Sequence, residues 1–170
     1  MKKHIVIDAR ESGTSTGRYI DKLIEYLYNA KPSYKITVLT NKKRVEFLHS
    51  IAPKFNIVTS SVKEFTFAEQ TRLLKQIRGL KPDLVHFGMT QQPILYRGKT
   101  VTTIHDLTTA RFKNPAKNPL VFWIKQKVYR IVIKIVARKS EVVITPSEYV
   151  KDDVAKFAKI NSRKVEVTYE

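Results

Sequence analysis

The sequence predicts an α/β fold, a mostly parallel sheet with helices on both faces, and three observations carry that prediction. Short β-branched runs alternate with helical segments along nearly the whole chain, the pattern in which right-handed crossovers return parallel strands to one sheet. The chain opens with a strand that passes through a small-residue loop directly into a helix. Two later strands end at His105-Asp106 and Pro146-Ser147, at the edge where open α/β sheets present ligand-binding groups.

The first strand is His4-Ile5-Val6-Ile7-Asp8, followed by a loop from Ala9 to Gly17 and a helix over residues 18–27 with Ile20, Leu23, Ile24 and Leu27 at helical spacing. A strand running into a helix's first turn clusters unpaired N–H groups at the sheet edge, which makes a generic anion site. Residues 35–40 (KITVLT) read as a short buried strand, 43–51 as a helix with Val45, Leu48 and Ile51 inward, and 55–59 as a brief strand. The next helix, over 67–80, carries Leu73, Leu74, Ile77 and Leu80 on one stripe and is stopped by Gly79, Lys81 and Pro82. Strands follow at 84–87 and 99–104, then a long helix over 118–139 and a strand at 142–145. A last helix is capped by Ser147, with Val150, Val154 and Phe157 on one face, and a final strand covers 165–169.

A chain of 170 residues with 42% apolar content can bury about two-thirds of its unfolded surface, so residues 1–170 are expected to form one domain. There is no cysteine, which excludes disulfides and thiolate metal sites and fits a reducing compartment. Met1-Lys2-Lys3 leads straight into a foldable strand without an apolar targeting segment, so a cytoplasmic location is expected. His4, His49, His86 and His105 lie on separate segments, and no His or carboxylate pair has metal-ligand spacing. No metal is expected. His86 reads as a satisfied core histidine. Asp8, Asp83 and Asp106 give no basis for a two-carboxylate hydrolase.

Charge is distributed unevenly. Of the net +17, nine charges fall in residues 107–140, which hold Arg111, Lys113, Lys117, Lys125, Lys127, Arg130, Lys134, Arg138 and Lys139 and no acidic residue. On a helical wheel Lys127, Arg130, Lys134 and Arg138 share one face. Phe122, Val128, Tyr129, Ile131, Val132, Ile135 and Val136 occupy a wide opposite arc, and Trp123 projects near the basic side. Trp123 with those four cations suits an anionic membrane surface, peripheral at the inner face. The alternative is a core helix with a solvated basic face. Charges interrupt the apolar runs too often for a membrane span. A basic chain also raises nucleic-acid binding, but zinc spacing, an RRM signature and a KH loop are missing, and Phe65, Phe67 and Phe87 have more natural core roles. No specific nucleic acid is expected.

Four segments in order, IDARESGTSTGRY near the start, KPDLVHF at 81–87, TTIHDL at 102–107 and VVITPSEYVKDDV at 142–154, resemble the N-terminal half of GT-B glycosyltransferases. More narrowly, the chain resembles the retaining group-1 (GT4-like), mannosyltransferase-like enzymes. The resemblance implies a Rossmann-like sheet that holds an acceptor, glycan or lipid-linked, opposite a second domain that holds a nucleotide-sugar donor. That donor is a co-substrate, and no cofactor is implied. The chain stops about where relatives cross into the donor domain, so a partner domain, in the same polypeptide or as a separate subunit, is expected and the chain alone is expected to be inactive. The family's glycine loop falls on Thr16, Gly17, Arg18 and Tyr19, which are implied to meet substrate. Ser15 stands where relatives often carry a second glycine, and Gly13 with Gly17 also reads as plain turn geometry. The resemblance further implies that His105 lies beside the transferred sugar, with Asp106 orienting it or a loop amide. The alternative functions are a noncatalytic membrane-docking or scaffold half, or a basic nucleic-acid-binding domain.

Overall fold

Aliphatic residues on both sides of β1 (His4–Ala9) leave nearly the whole strand buried, as a strand in the middle of a parallel sheet must be. β1 pairs in parallel with β2 (Lys35–Thr40) on one side and with β4 (Leu84–Phe87) on the other. β3 (Asn56–Thr59) extends the sheet beyond β2, and β5 (Thr100–Thr103), β6 (Val142–Thr145) and β7 (Val165–Val167) extend it beyond β4. The order is β3-β2-β1-β4-β5-β6-β7, with every pairing parallel. The computed structural model describes residues 2–64, 66–111 and 119–169, with 119–122 given by backbone alone.

The helices are α1 (Gly17–Asn29), α2 (Val45–Ile51), α3 (Leu74–Leu80), α4 (Thr108–Arg111), α5 (Pro119–Lys139) and α6 (Glu148–Ala158). Because successive strand residues point to opposite faces, Ile7 and Val38 pack with Ile20, Ile24 and Leu48 of α1 and α2, whereas Val6 and Leu39 pack with Leu74 and Ile77 of α3. A third cluster joins Val143 to Ile133 and Ala137 of α5 and to Val154 and Ala158 of α6. Each fully buried aliphatic side chain contributes about 1.5–3 kcal/mol. His86 is a core residue, hydrogen-bonded through Nε2 to Thr103 Oγ1 at 3.0 Å. Burial pushes its pKa down to about 4, so it stays neutral.

Several expected elements differ in detail. The helix over 67–80 contains a π turn at Glu69–Leu73 before α3 begins. Gly79 does not end it; Lys81 does, in the left-handed region at φ 49° with Pro82 behind it. Residues Lys42–Arg44 form a 3-10 turn ahead of α2, because Asn41 accepts the Lys43 amide. Ser147 caps α6 as expected, accepting the Val150 amide at 3.3 Å. Phe87 is buried, but Phe67 is 79% exposed and is not a core residue; Phe65 lies outside the described residues.

The inward face of α5 is also corrected. Ile133, Val136 and Ala137 are buried, while Val128, Ile131 and Ile135 from the predicted apolar arc are exposed; the side chain of Phe122 lies outside the described residues. Ile133 and Ala137 pack on Val143 and Ala158 in this rotation, and two polar side chains accompany it. Arg138 Nε donates to the Ala158 carbonyl at 2.9 Å, and Lys139 Nζ reaches the Pro93 and Ile94 carbonyls.

Candidate functional site

β1 and β4 are neighbours, yet the chain leaves β1 toward β2 on one side and β4 toward β5 on the other. The crevice beyond their carboxyl ends is therefore a topological switch point, the place where open α/β sheets bind ligands. A cleft of about 210 Å³ opens there. The segment after β1 contributes Glu11 and Thr16, the segment after β3 contributes Glu64, and Met89, Thr90 and Gln91 follow β4. Thr103, His105 and Asp106 come from β5 and its continuation, Thr109 from α4 and Tyr129 from α5. Among the described residues that line it, none is Lys or Arg.

The loop after β1 is held by a buried ion triad. Arg10 forms a bidentate pair with Asp8, at 2.9 Å from Nε to Oδ1 and 2.9 Å from Nη2 to Oδ2. Its Nη2 also meets Glu69 at 3.1 Å and donates to the Gln91 carbonyl at 3.0 Å. Burial opposes the Arg10 charge, but Asp8 and then Glu69 more than compensate and hold its pKa above the ordinary arginine value. The triad thus clamps the β1 loop to the segment after β4 and to the π turn, which presents Glu69.

Within that loop, glycine at 17 has a steric cause. A Cβ at Gly17 would sit 1.9 Å from the Glu11 carbonyl oxygen, so only glycine lets the first turn of α1 close on its own loop. The Gly17 amide donates to Thr14 Oγ1 at 3.0 Å. Arg18 and Ser15 are exposed and lie outside the cleft lining, whereas Thr16 lines it. Tyr19 packs edge-on against His105, with ring centroids 5.4 Å apart. Two of the predicted segments therefore meet in space.

His105 Nε2 lies 3.0 Å from the Gly88 carbonyl. A carbonyl only accepts, so Nε2 carries the proton. Asp106 Oδ1 accepts the Thr108 amide at 2.6 Å and so caps α4. Across the cleft Thr90 Oγ1 donates to the Tyr129 hydroxyl at 3.2 Å, and burial raises the Tyr129 pKa, which keeps its proton in place.

Sequence reasoning missed Glu11. Its residue surface is only 4% exposed, yet it borders the cleft beside Thr16 and His105. Burial first, then the neighbouring Asp8 and Glu64 carboxylates, push its pKa up to about 8, against the opposing pull of a Thr16 hydrogen bond and of Arg10. At neutral pH Glu11 is mainly a carboxylic acid. The one available signal was a glutamate placed just past a central strand, in the run Asp8-Ala9-Arg10-Glu11.

The basic set lies apart from the cleft lining. Lys127 sits over the Trp123 ring at 3.8 Å, and Arg130 and Lys134 lie 5.7 and 5.3 Å from the Phe157 ring. Among the described residues there is no group of three metal-ligating side chains.

Residues 16–170 match the family described as Glycosyltransferase Family 4. The chain is similar in fold to the crystal structure of Anabaena Alr3699/HepE in complex with UDP and glucose, at TM-score 0.61 and 14% identity over 98% of this chain and 44% of that one. The UDP-glucose complex of the same protein gives TM-score 0.63 and 12% identity over 98% and 43%. UDP-GlcNAc 2-epimerase from Neisseria meningitidis bound to UDP-GlcNAc gives TM-score 0.58 and 16% identity over 99% and 46%. The chain spans less than half the length of these solved structures. No curated protein matches it.

Proposed function

The chain belongs to glycosyltransferase family 4, and from that premise we propose that it is the acceptor-side wall of a retaining, nucleotide-sugar-dependent hexosyltransferase. One observation carries the reading. In a chain of net charge +17, the switch-point cleft is lined by hydroxyls, an amide, an imidazole, carboxyl groups and the Met89 thioether, with no Lys or Arg among its described lining residues. That lining matches the many hydroxyls of a glycan or lipid-linked acceptor and fits a diphosphate poorly, since phosphate recognition relies on cations and clustered amides.

In this reading His105, fixed by the Gly88 carbonyl and the Tyr19 edge, hydrogen-bonds a sugar hydroxyl near the reacting centre. Asp106 keeps the following turn in place by capping α4. Holding the acceptor oxygen close to the donor's anomeric carbon converts a bimolecular encounter into a positioned one. The donor, a nucleotide-sugar as in the similar solved structures, is held by a second domain in the same polypeptide or in a separate subunit. The departing phosphate then takes the acceptor proton.

The test is hexosyl transfer by this domain together with its donor-side domain. His105→Ala is expected to lower kcat roughly a hundredfold, the scale of losing one transition-state hydrogen bond, well beyond the fraction of folded protein lost with its Gly88 and Tyr19 contacts, which the variant's melting temperature measures. A kcat equal to wild type would remove His105 from the reaction.

A second reading concerns where the acceptor is met. Ile124, Val128, Ile131 and Ile135 form an exposed apolar ridge along α5. On the helical wheel Trp123, Lys127, Lys134 and Arg138 flank one side of that ridge and Lys125 the other. An apolar ridge between basic margins matches a helix lying in an anionic membrane surface. No helix among the described residues is long and apolar enough to cross a membrane.

A further inference from the structure

β4 and β5 are parallel neighbours, yet residues 88–99 join them without a helix, the element that usually makes such a crossover. The backbone groups of this segment have no ladder of their own and must find partners elsewhere. The π turn supplies several of them. Gln70 Nε2 donates to the Gln92 carbonyl at 3.1 Å, and Gln70 Oε1 accepts the Ile94 amide at 2.9 Å. One carboxamide thus offers the segment a donor and an acceptor, as a neighbouring peptide group would. Glu69, the preceding residue, reaches the same segment through Arg10, whose Nη2 lies 3.1 Å from Glu69 Oε1 and donates to the Gln91 carbonyl at 3.0 Å.

What the segment carries gives these contacts a consequence for the cleft. Met89, Thr90 and Gln91 line it, and Gln70 does not. Thr90 Oγ1 lies 3.3 Å from the half-buried Gln91 Oε1 and 3.2 Å from the Tyr129 hydroxyl, so the wall that faces α5 stands where this backbone is held. Single π turns within helices are frequent at functional sites. We propose that Gln70 is a positioning residue of the acceptor cleft, its carboxamide clamped across Gln92 and Ile94 so that the Gln91 side chain is fixed where it meets the acceptor. Both ends of the amide are used, which a leucine of similar size cannot reproduce. The inference rests on the acceptor-side reading above and adds to it the element that sets one wall of the site.

The experiment titrates methyl α-mannoside, methyl α-glucoside and methyl α-galactoside into the nitrogen-labelled full chain and follows its amide spectrum. In wild type the Gln70 side-chain amide signals are expected to shift with the preferred glycoside at the same midpoint as those of Gln91, although Gln70 lies outside the cleft lining. Gln70→Leu is expected to bind that glycoside about fivefold more weakly, the scale of one net hydrogen bond. Its melting temperature is measured alongside, and the deciding comparison is the same substitution in a Gln91→Ala chain. A residue that acts through Gln91 loses its effect there, whereas a general loosening of the fold lowers affinity by the same factor in both chains.

If Gln70→Leu folds and binds as wild type, or costs the same factor with and without the Gln91 side chain, the positioning role is overturned and the acceptor reading stands. If Gln70→Leu does not fold, the wild-type spectrum decides: Gln70 signals that stay still while those of Gln91 shift overturn the role, and shared movement supports it. If none of the three glycosides moves any wild-type signal, the acceptor reading itself falls, and the positioning role with it.

Discussion

A methyl group at position 17 would collide with the Glu11 carbonyl oxygen at 1.9 Å, so Gly17→Ala must push the first turn of α1 away from the loop that carries Glu11 and Thr16. Overpacking of this kind costs typically 1–3 kcal/mol. The expected outcome in urea denaturation is a loss in that range, and a loss under about 0.5 kcal/mol would show the loop to be loosely packed. Glu11 makes the opposite kind of contribution. Its pKa is raised in the folded chain to about 8 from an ordinary 4.5, so the folded state binds its proton more tightly than the unfolded state does. The stability linked to it is fully present below about pH 4.5 and is lost as pH rises through about 8. Glu11→Gln cannot ionise, and its melting temperature relative to wild type is therefore expected to climb between those limits and level off above pH 8. A difference that stays flat across this range would mean that Glu11 is charged throughout. Spacing in the sequence points to Gly17 and His105, since both sit at the junctions of readable elements. It gives no access to Glu11, whose protonation is set first by burial that only the folded loop creates, and then by Asp8 and by Glu64, which is distant in the sequence.

At the scale of elements, strands were more legible than helix faces. β2, β4 and β6 fall where β-branched and apolar runs place them, because a strand buried on both faces must be apolar at nearly every position. The rotation of α5 was not legible, because a helical wheel ranks faces without knowing which neighbours are there to cover them. Ile133 and Ala137 won the inward side against Val143 and Ala158, and the Arg138 and Lys139 contacts accompany that choice. The consequence is an aliphatic ridge left in solvent: Ile124 is 50%, Val128 54% and Ile131 58% exposed. Because the ridge side chains pack against little, Val128→Asp and Ile131→Asp are expected to change the melting temperature by no more than a surface substitution does. The same variants should abolish flotation with vesicles containing phosphatidylserine. Charge reversal of Lys127, Arg130, Lys134 and Arg138 to Glu is expected to do so too, since each cation near such a surface contributes about 1 kcal/mol. Equal flotation with neutral and anionic vesicles, or flotation that survives both sets of changes, would leave α5 as an ordinary covering helix.

Across the whole molecule, charge and topology pull apart, and the separation has a measurable consequence. The basic residues of α5 lie outside the cleft lining, while the switch point gathers Glu11, Glu64 and Asp106. The buried Asp8-Arg10-Glu69 triad keeps Arg10's cation engaged beneath the loop rather than presented to a ligand. A molecule of net charge +17 attracts any polyanion, but attraction between exposed charges is screened beyond about 8 Å at physiological ionic strength. Attraction within a built phosphate site is screened far less. UDP binding to this chain alone is therefore expected to be weak at low salt and to disappear as salt rises to physiological strength, whereas methyl glycoside binding should hardly change, because uncharged hydroxyl contacts do not depend on ionic strength. Calorimetric titration of UDP and ligand-observed NMR of the glycosides across a salt series separate the two behaviours. Saturable UDP binding that persists at physiological salt, together with glycoside binding that does not, would place the donor rather than the acceptor on this domain. The carboxyl-lined cleft would then have to be a secondary feature of the sheet edge.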